Sequence, residues 1–321
     1  MFDTNKGKEV KIFSANSNMP LAKDVAKAAG GWLGEADVGV FSDGEIAVTI
    51  KESVRGFDVF VIQSTSEPVN DNLMELLIMI DAFKRASARN ITAVVPYFGY
   101  SRQDRKTKPR DPISARLVAD LITVAGADRI LTMDLHSPQI QGFFGIPVDD
   151  LQGMSILAPY FKDKFRDNLE DVICVSPDIG SVARVRSFSH RVGIGFAIID
   201  KRRQKANVSE VMNIIGDVKD KTVIITDDMI DTAGSICNAA TAVIERGGAK
   251  EVYAAATHGV LSGDAIEKLE KSYIKEVVLL NTINIPAEKR TPKIKVLSVA
   301  NILAQAIERI FKDMPISILF N

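Results

Sequence analysis

The stretch from Thr222 to Ser235, TVIITDDMIDTAGS, constrains this chain more than any other. Val223, Ile224 and Ile225 form a β-branched run of the kind buried on both faces of a parallel sheet. Asp227 and Asp228 follow where such a strand would end, and Asp231-Thr232-Ala233-Gly234-Ser235 leads into a helix-like segment, Ile236–Arg246, stopped by Gly247-Gly248. Strand, acidic turn, small-residue loop and helix aim backbone N–H groups at a phosphate, with the positive end of the helix dipole behind them. Bulky side chains would hold a phosphate off the backbone, hence Ala233, Gly234 and Ser235. The carboxylates cannot bind phosphate, so their task is to hold sugar hydroxyls, directly or through Mg²⁺. The competing interpretation is an ordinary strand-to-helix connection with Asp231 or Thr232 as a helix cap.

The length, 321 residues, suits about two domains. Forty basic against 41 acidic residues leave a formal charge of −1, so no global field draws the chain to nucleic acid or an anionic membrane, and any anion site is local. The segment MFDTNKGKEV lacks the apolar core of a signal peptide, and the apolar run Leu76–Ile80 is too short to span a bilayer. The two cysteines, Cys174 and Cys237, have no metal-ligand spacing and read as small buried side chains. A soluble cytoplasmic protein is expected.

Strands are predicted at Lys11–Ser14, Ile46–Ile50 (alternating), Asp58–Ile62, Ile91–Pro96, Ile130–Met133, Asp171–Val175, Phe196–Ile199, Val252–Ala256 and Glu276–Leu280. Helical spacing marks Pro20–Gly30, Asp71–Ser87, Ile113–Val124, Val182–His190 and Val299–Phe311. The alternation predicts an α/β fold, mainly parallel sheets flanked by helices. The order runs twice, with DVFVI, ITAVV and RILTMDLH set against DVICV, FAIID and TVIITDD. On that pairing the first copy's final loop, HSPQIQG, has lost the phosphate-cradling composition.

Polar clusters fall at the carboxyl ends of these strands, where open α/β sheets bind ligands. They are Asp134/His136, Asp178, Asp200–Arg203 and Asp227/Asp228. Lys201-Arg202-Arg203 follows a buried strand directly and could neutralise a transferring phosphoryl group; an exposed basic turn is the alternative. His136 alone reads equally as a structural histidine. Ser101–Asp111, SRQDRKTKPRD, carries five basic residues and no large apolar one, which suits either a lid over a polyphosphate or a solvated surface. No G-x-x-x-x-G-K-[ST] motif occurs.

Taken together, FSDGEI (41–46), PYFGYSRQDRKTKPRDPISARL (96–117), MDLHSPQIQGFF (133–144), SPDIG (176–180), IIDKRR (198–203) and DDMIDTAGS (227–235) resemble the class I ribose-phosphate diphosphokinases over nearly the whole chain. The resemblance implies two tandem, diverged type I phosphoribosyltransferase-like domains. These would cover 1–150 and 151–303, with the C-terminal helix and tail (304–321) a candidate to pack on the first. It implies transfer of a diphosphoryl group from Mg-ATP to the anomeric hydroxyl of ribose 5-phosphate.

By that resemblance Phe41, Asp43 and Glu45 hold adenine from a neighbouring subunit, and Arg102 and Gln103 contact ATP, Arg102 with a catalytic share. His136 and Asp178 serve the Mg-ATP site as metal ligands. Lys201 and Arg203 stabilise the transition state. Asp227 and Asp228 bind the ribose hydroxyls, and Asp231, Thr232, Ala233, Gly234 and Ser235 cradle the 5-phosphate, with Arg203 also on that substrate. A homohexamer activated by phosphate and inhibited by ADP is the family expectation. Gly145, Ile179, Ser181 and Ser235 depart from the family's usual residues, and Gly145 and Ile179 bear on metal affinity and allosteric response. A phosphoribosyltransferase shares the opening loop but not the basic lid or IIDKRR. A non-catalytic regulatory subunit of the same fold should lose the lid or the basic cluster, and this chain keeps both.

Overall fold

A computed structural model describes residues 9–202 and 211–320, and the side chains of 201, 202, 211 and 212 fall outside that description. The chain forms two compact units. One comprises Met1–Gln152, Thr282–Asn284 and Ser298–Asn321; the other comprises Gly153–Asn281 and Ile285–Leu297.

In the first unit β1 (Val10–Ser14) leads to α1 (Met19–Ala28), where the Asn18 side chain accepts from Leu21 N and Pro20 sits in the first turn. The strands β2 (Ala36–Val40) and β3 (Ile46–Ile50) form a separate antiparallel hairpin, Val40 opposite Ile46. Next come β4 (Asp58–Ile62), α2 (Val69–Arg85), β5 (Asn90–Val95), α3 (Ser114–Ala125), β6 (Arg129–Met133) and β7 (Val148–Leu151). The sheet runs β1-β4-β5-β6-β7, every neighbour parallel. All five residues of β4 are buried, as a strand covered on both faces requires. Helix α2 buries Leu73, Leu76, Met79, Ile80 and Phe83 along one stripe, each worth about 2 kcal/mol of apolar burial.

The second unit opens with α4 (Met154–Lys164), whose internal Pro159 hid it from a periodicity reading. It continues with β8 (Val172–Ser176), α5 (Val182–Val192), β9 (Gly195–Arg202), β10 (Val211–Ile215), β11 (Thr222–Ile230), α6 (Gly234–Glu245), β12 (Glu251–Gly259), α7 (Ala265–Lys271), β13 (Ile274–Leu280) and β14 (Ile294–Leu297). The sheet order is β10-β9-β8-β11-β12-β13-β14, parallel except for the β10 edge. The chain then returns to the first unit as α8 (Ala300–Phe311), which packs on α1.

Both units contain one topology, and it corrects the pairing of copies expected from sequence. The order β1-β4-β5-β6-β7 matches β8-β11-β12-β13-β14 strand for strand, and a hairpin-forming pair (β2–β3, β9–β10) precedes the second strand of each. The counterpart of the acidic strand β11 is therefore β4, not β6, and the loop that corresponds to Asp231–Ser235 is Gln63–Pro68, not HSPQIQG. Buried parallel strands are interchangeable apolar runs, so composition alone could not fix this register.

Its own side chains fill the diverged loop. Gln63, Ser64 and Thr65 are buried. The Gln63 amide donates to Glu75 (2.8 Å), and Glu75 also accepts from Asn16 N (3.0 Å) and Asn16 Nδ2 (2.7 Å). Ser64 Oγ donates to Thr282 O (2.6 Å), and Thr65 Oγ1 accepts from Gly99 N (2.6 Å). A network satisfied this fully is a structural plug.

Candidate active site

Strand β11 runs further than its composition suggests, so Asp227 and Asp228 lie inside it. Its pairing with β8 ends at Ile225–Val175, while pairing with β12 continues to Ile230–Gly259. The acids sit where one neighbour has ended. Asp228 is 5% exposed and Asp227 22%. Asp227 Oδ1 accepts from the backbone N of Asp228 (2.9 Å), from Ser181 Oγ (3.3 Å) and from Arg184 Nη1 (3.3 Å), and the same nitrogen reaches Asp228 Oδ1 at 3.1 Å. Burial, and then the charge of Asp228, push the Asp227 carboxyl up to about 7 against the pull of Arg184.

The loop beyond the acids is braced from the turn after β12. Val260 N and Leu261 N both donate to Ile230 O (3.0 Å), Ser262 N donates to Asp231 O (3.1 Å), and Ser262 Oγ donates to the Asp231 carboxylate. Lys268 Nζ donates to Thr232 O (3.4 Å). Ala233, buried and left-handed at φ 60°, precedes Gly234, the first residue of α6. The cap position of α6 falls on Ala233, whose methyl group can accept no hydrogen bond, and not on Asp231 or Thr232 as the competing interpretation required. A helix start built this way suits an external anion.

Asp178 stands at the end of β8, its Oδ1 accepting from Ser181 N (2.9 Å) and its carbonyl from Ser176 Oγ (2.6 Å). Ser181 thus links Asp178 to Asp227. Ile179 is 67% exposed. Lys201 lies in β9, paired with Met212, but its side chain and the whole of Arg203 lie outside the described residues.

In the first unit Phe41, Asp43 and Glu45 share the tip of the β2–β3 hairpin. Phe41 N donates to Glu45 O (2.8 Å), Glu45 N donates to Asp43 Oδ1 (3.1 Å), and Gly44 takes the left-handed φ of 96° that closes the turn. Phe41 is 59% exposed, unusual for an aromatic ring without a partner role. Arg102 and Gln103 follow β5. Gln103 holds the start of α3 through Ala115 N (3.2 Å) and Ser114 Oγ (2.5 Å). The basic loop is organised by Asp111, which accepts from Thr107 Oγ1 (2.8 Å) and Lys108 N (2.7 Å). His136 is exposed in the bend just past β6, which is the strand next to β5.

Arg184 was missed in the sequence. The available signal was a cation in the first turn of a helix, where the helix dipole opposes it unless an anion lies in front. Among the described residues no group of three His, Cys, Asp or Glu side chains is arranged to hold a metal ion. No helix among them is long and apolar enough to cross a membrane.

Parallel α/β units, one of them presenting paired acids and a helix that starts at Ala233 behind a small-residue loop, define a sugar-phosphate enzyme. Family models match residues 10–126 (N-terminal domain of ribose phosphate pyrophosphokinase) and 202–321 (phosphoribosyl synthetase-associated domain). A ribose-phosphate pyrophosphokinase of Clostridium tetani is 64% identical over 98% of both chains, and one of Clostridium perfringens is 63% identical over 98% of this chain and 99% of its own. The crystal structure of phosphoribosylpyrophosphate synthetase from Mycobacterium smegmatis superposes with a TM-score of 0.90 at 45% identity, covering 95% of this chain and all of the other. The chain belongs to the ribose-phosphate pyrophosphokinase family, and it is an enzyme of diphosphoryl transfer.

Proposed function

We propose that the chain transfers the diphosphoryl group of Mg-ATP to the anomeric hydroxyl of ribose 5-phosphate, giving phosphoribosyl diphosphate and AMP for nucleotide biosynthesis. The observation that carries this is the start of α6 at left-handed Ala233, a cap position with no side-chain acceptor, preceded in the same strand and loop by Asp227 and Asp228. In this reading the backbone of Asp231–Ser235 receives the 5-phosphate, and the two acids accept from the ribose hydroxyls, which leaves the anomeric hydroxyl outward. Phosphoryl transfer asks for position and charge neutralisation, not a covalent nucleophile. Arg102, Lys201 and Arg203 supply positive charge. Phe41, Asp43 and Glu45 hold adenine from a neighbouring subunit, and Gln103 contacts ATP.

Asp178 is a hard oxygen donor fixed by two hydrogen bonds, which fits Mg²⁺ held jointly with substrate phosphates and water better than a closed protein cage. His136 is its partner in the proposal. Bound Mg²⁺ would contribute neutralisation of the polyphosphate. A cytoplasmic homohexamer with phosphate as activator and ADP as inhibitor completes the reading.

The test is a product assay with purified protein, ATP, Mg²⁺, phosphate and ribose 5-phosphate, following AMP and phosphoribosyl diphosphate together. Equal yields of the two, lost in Lys201→Ala, are expected. A folded, ATP-binding protein that releases no AMP would overturn the proposal.

A further inference from the structure

Arg184 has no part in the roles assigned so far, yet its position is unusual. It lies in the first turn of α5, where the helix dipole disfavours a cation. One guanidinium nitrogen spans both ribose acids, 3.3 Å from Asp227 Oδ1 and 3.1 Å from Asp228 Oδ1. The side chain is only 22% exposed, as is that of Asp227, so the contact is not a solvated surface pair. Ser181, at the cap position of the same helix, donates to the same Asp227 oxygen and is itself tied to Asp178. Two carboxylates this close repel, and an unrestrained pair would splay apart. A diol needs the opposite: two acceptors held side by side.

We infer that Arg184 is the positioning residue of the ribose site: its guanidinium holds Asp227 and Asp228 together as a paired acceptor for the sugar hydroxyls, with Ser181 as the second donor on Asp227. Arg184 acts through the acids and has no contact with the reacting phosphorus. The inference rests on the assignment of Asp227 and Asp228 to ribose, and its test separates the two.

Steady-state kinetics are measured on the full chain for Arg184→Ala, Arg184→Lys, Arg184→Gln and Asp228→Asn, with ribose 5-phosphate and 2-deoxyribose 5-phosphate as acceptors. Arg184→Ala should raise KM for ribose 5-phosphate about tenfold or more, the size of a lost charge-assisted hydrogen bond, with KM for ATP unmoved. Its preference for ribose over 2-deoxyribose 5-phosphate should shrink, because the deoxy sugar has one hydroxyl fewer to lose. Arg184→Lys, and guanidinium ion added to the alanine variant, should recover part of the ribose KM. General loss of structure would lower activity toward both sugars alike and would not respond to guanidinium.

If Asp228→Asn raises the ribose KM and Arg184→Ala leaves it within about twofold of wild type, the inference is overturned while the ribose assignment stands. If neither variant moves it, the assignment falls and the inference with it. Should the alanine variant not fold, Arg184→Gln carries the same expectation and the same overturning result.

Discussion

Asp227→Asn offers a direct measure of the electrostatic cost built into the Asp227–Asp228 pair. In the folded chain the Asp227 carboxyl keeps its proton up to about pH 7, whereas an unfolded aspartate loses it near 3.8. Folding therefore takes up a proton between those values. The stability this group contributes is fully present below about 3.8, drains away as the pH rises, and is gone above about 7. Asparagine cannot ionise and keeps the Oδ1 acceptor used by Asp228 N, Ser181 and Arg184. The variant should gain on wild type by about 1.4 kcal/mol per pH unit from pH 5 to about 7, a total on the order of 3 kcal/mol. At roughly 2 °C per kcal/mol for a chain of this size, the difference in Tm between variant and wild type should widen by about 6 °C from pH 5 to pH 8. The assay is thermal unfolding of both proteins without ligand in matched buffers across that range. Titrating groups away from the pair are common to both and cancel, so the difference reports the Asp227–Asp228 pair. Parallel Tm curves would show that Asp227 ionises near its unfolded value, and the account of a buried, mutually repelling acid pair would be wrong.

Other expectations follow from close contacts. A Cβ on Gly99 would lie 2.4 Å from the backbone oxygen of Thr65, so Gly99→Ala should cost about 2 kcal/mol or more in urea unfolding and displace the start of the 101–111 loop. Glu75→Ala strips the acceptor from Asn16 and Gln63 and should destabilise by about 3 kcal/mol, with Glu75→Gln milder in the same urea titration. Ala233→Val puts a β-branched residue at φ 60°; a loss of about 2 kcal/mol is expected, with a raised KM for ribose 5-phosphate and an unchanged KM for ATP. The Cys174 thiol, driven far above its usual range by complete burial, should resist Ellman's reagent at pH 8 until the chain is unfolded.

What could be read from the chain divides along a physical line. Segments whose periodicity reports burial were legible: the DVFVI strand, the α2 stripe and the TVIIT run all occupy the places their spacing predicts. So was the strand-to-helix turn at Ala233-Gly234-Ser235, where the small residues admit a left-handed backbone ahead of α6. Elements held by context were not. The hairpin strand β2 contains Asp37 and Gly39 and exists because β3 pairs with it, and β7 is a four-residue strand with two acids, completed by its ladder to β6. The pairing of the two copies failed for a related reason, since a buried parallel strand carries no mark of which neighbour it will take. Site residues follow the same rule. Asp227 and Asp228 stand out because two acids beside a buried strand demand a purpose, whereas Arg184 on its helix looks like any surface arginine until the fold brings it against them. A pair of acids can be found from its own oddity, but the arginine bonded to it is odd only relative to a partner 43 positions away in the chain. Supporting residues of this kind are where a structure adds most to a sequence, and the kinetic separation of Arg184 from Asp228 tests whether that addition has been read correctly.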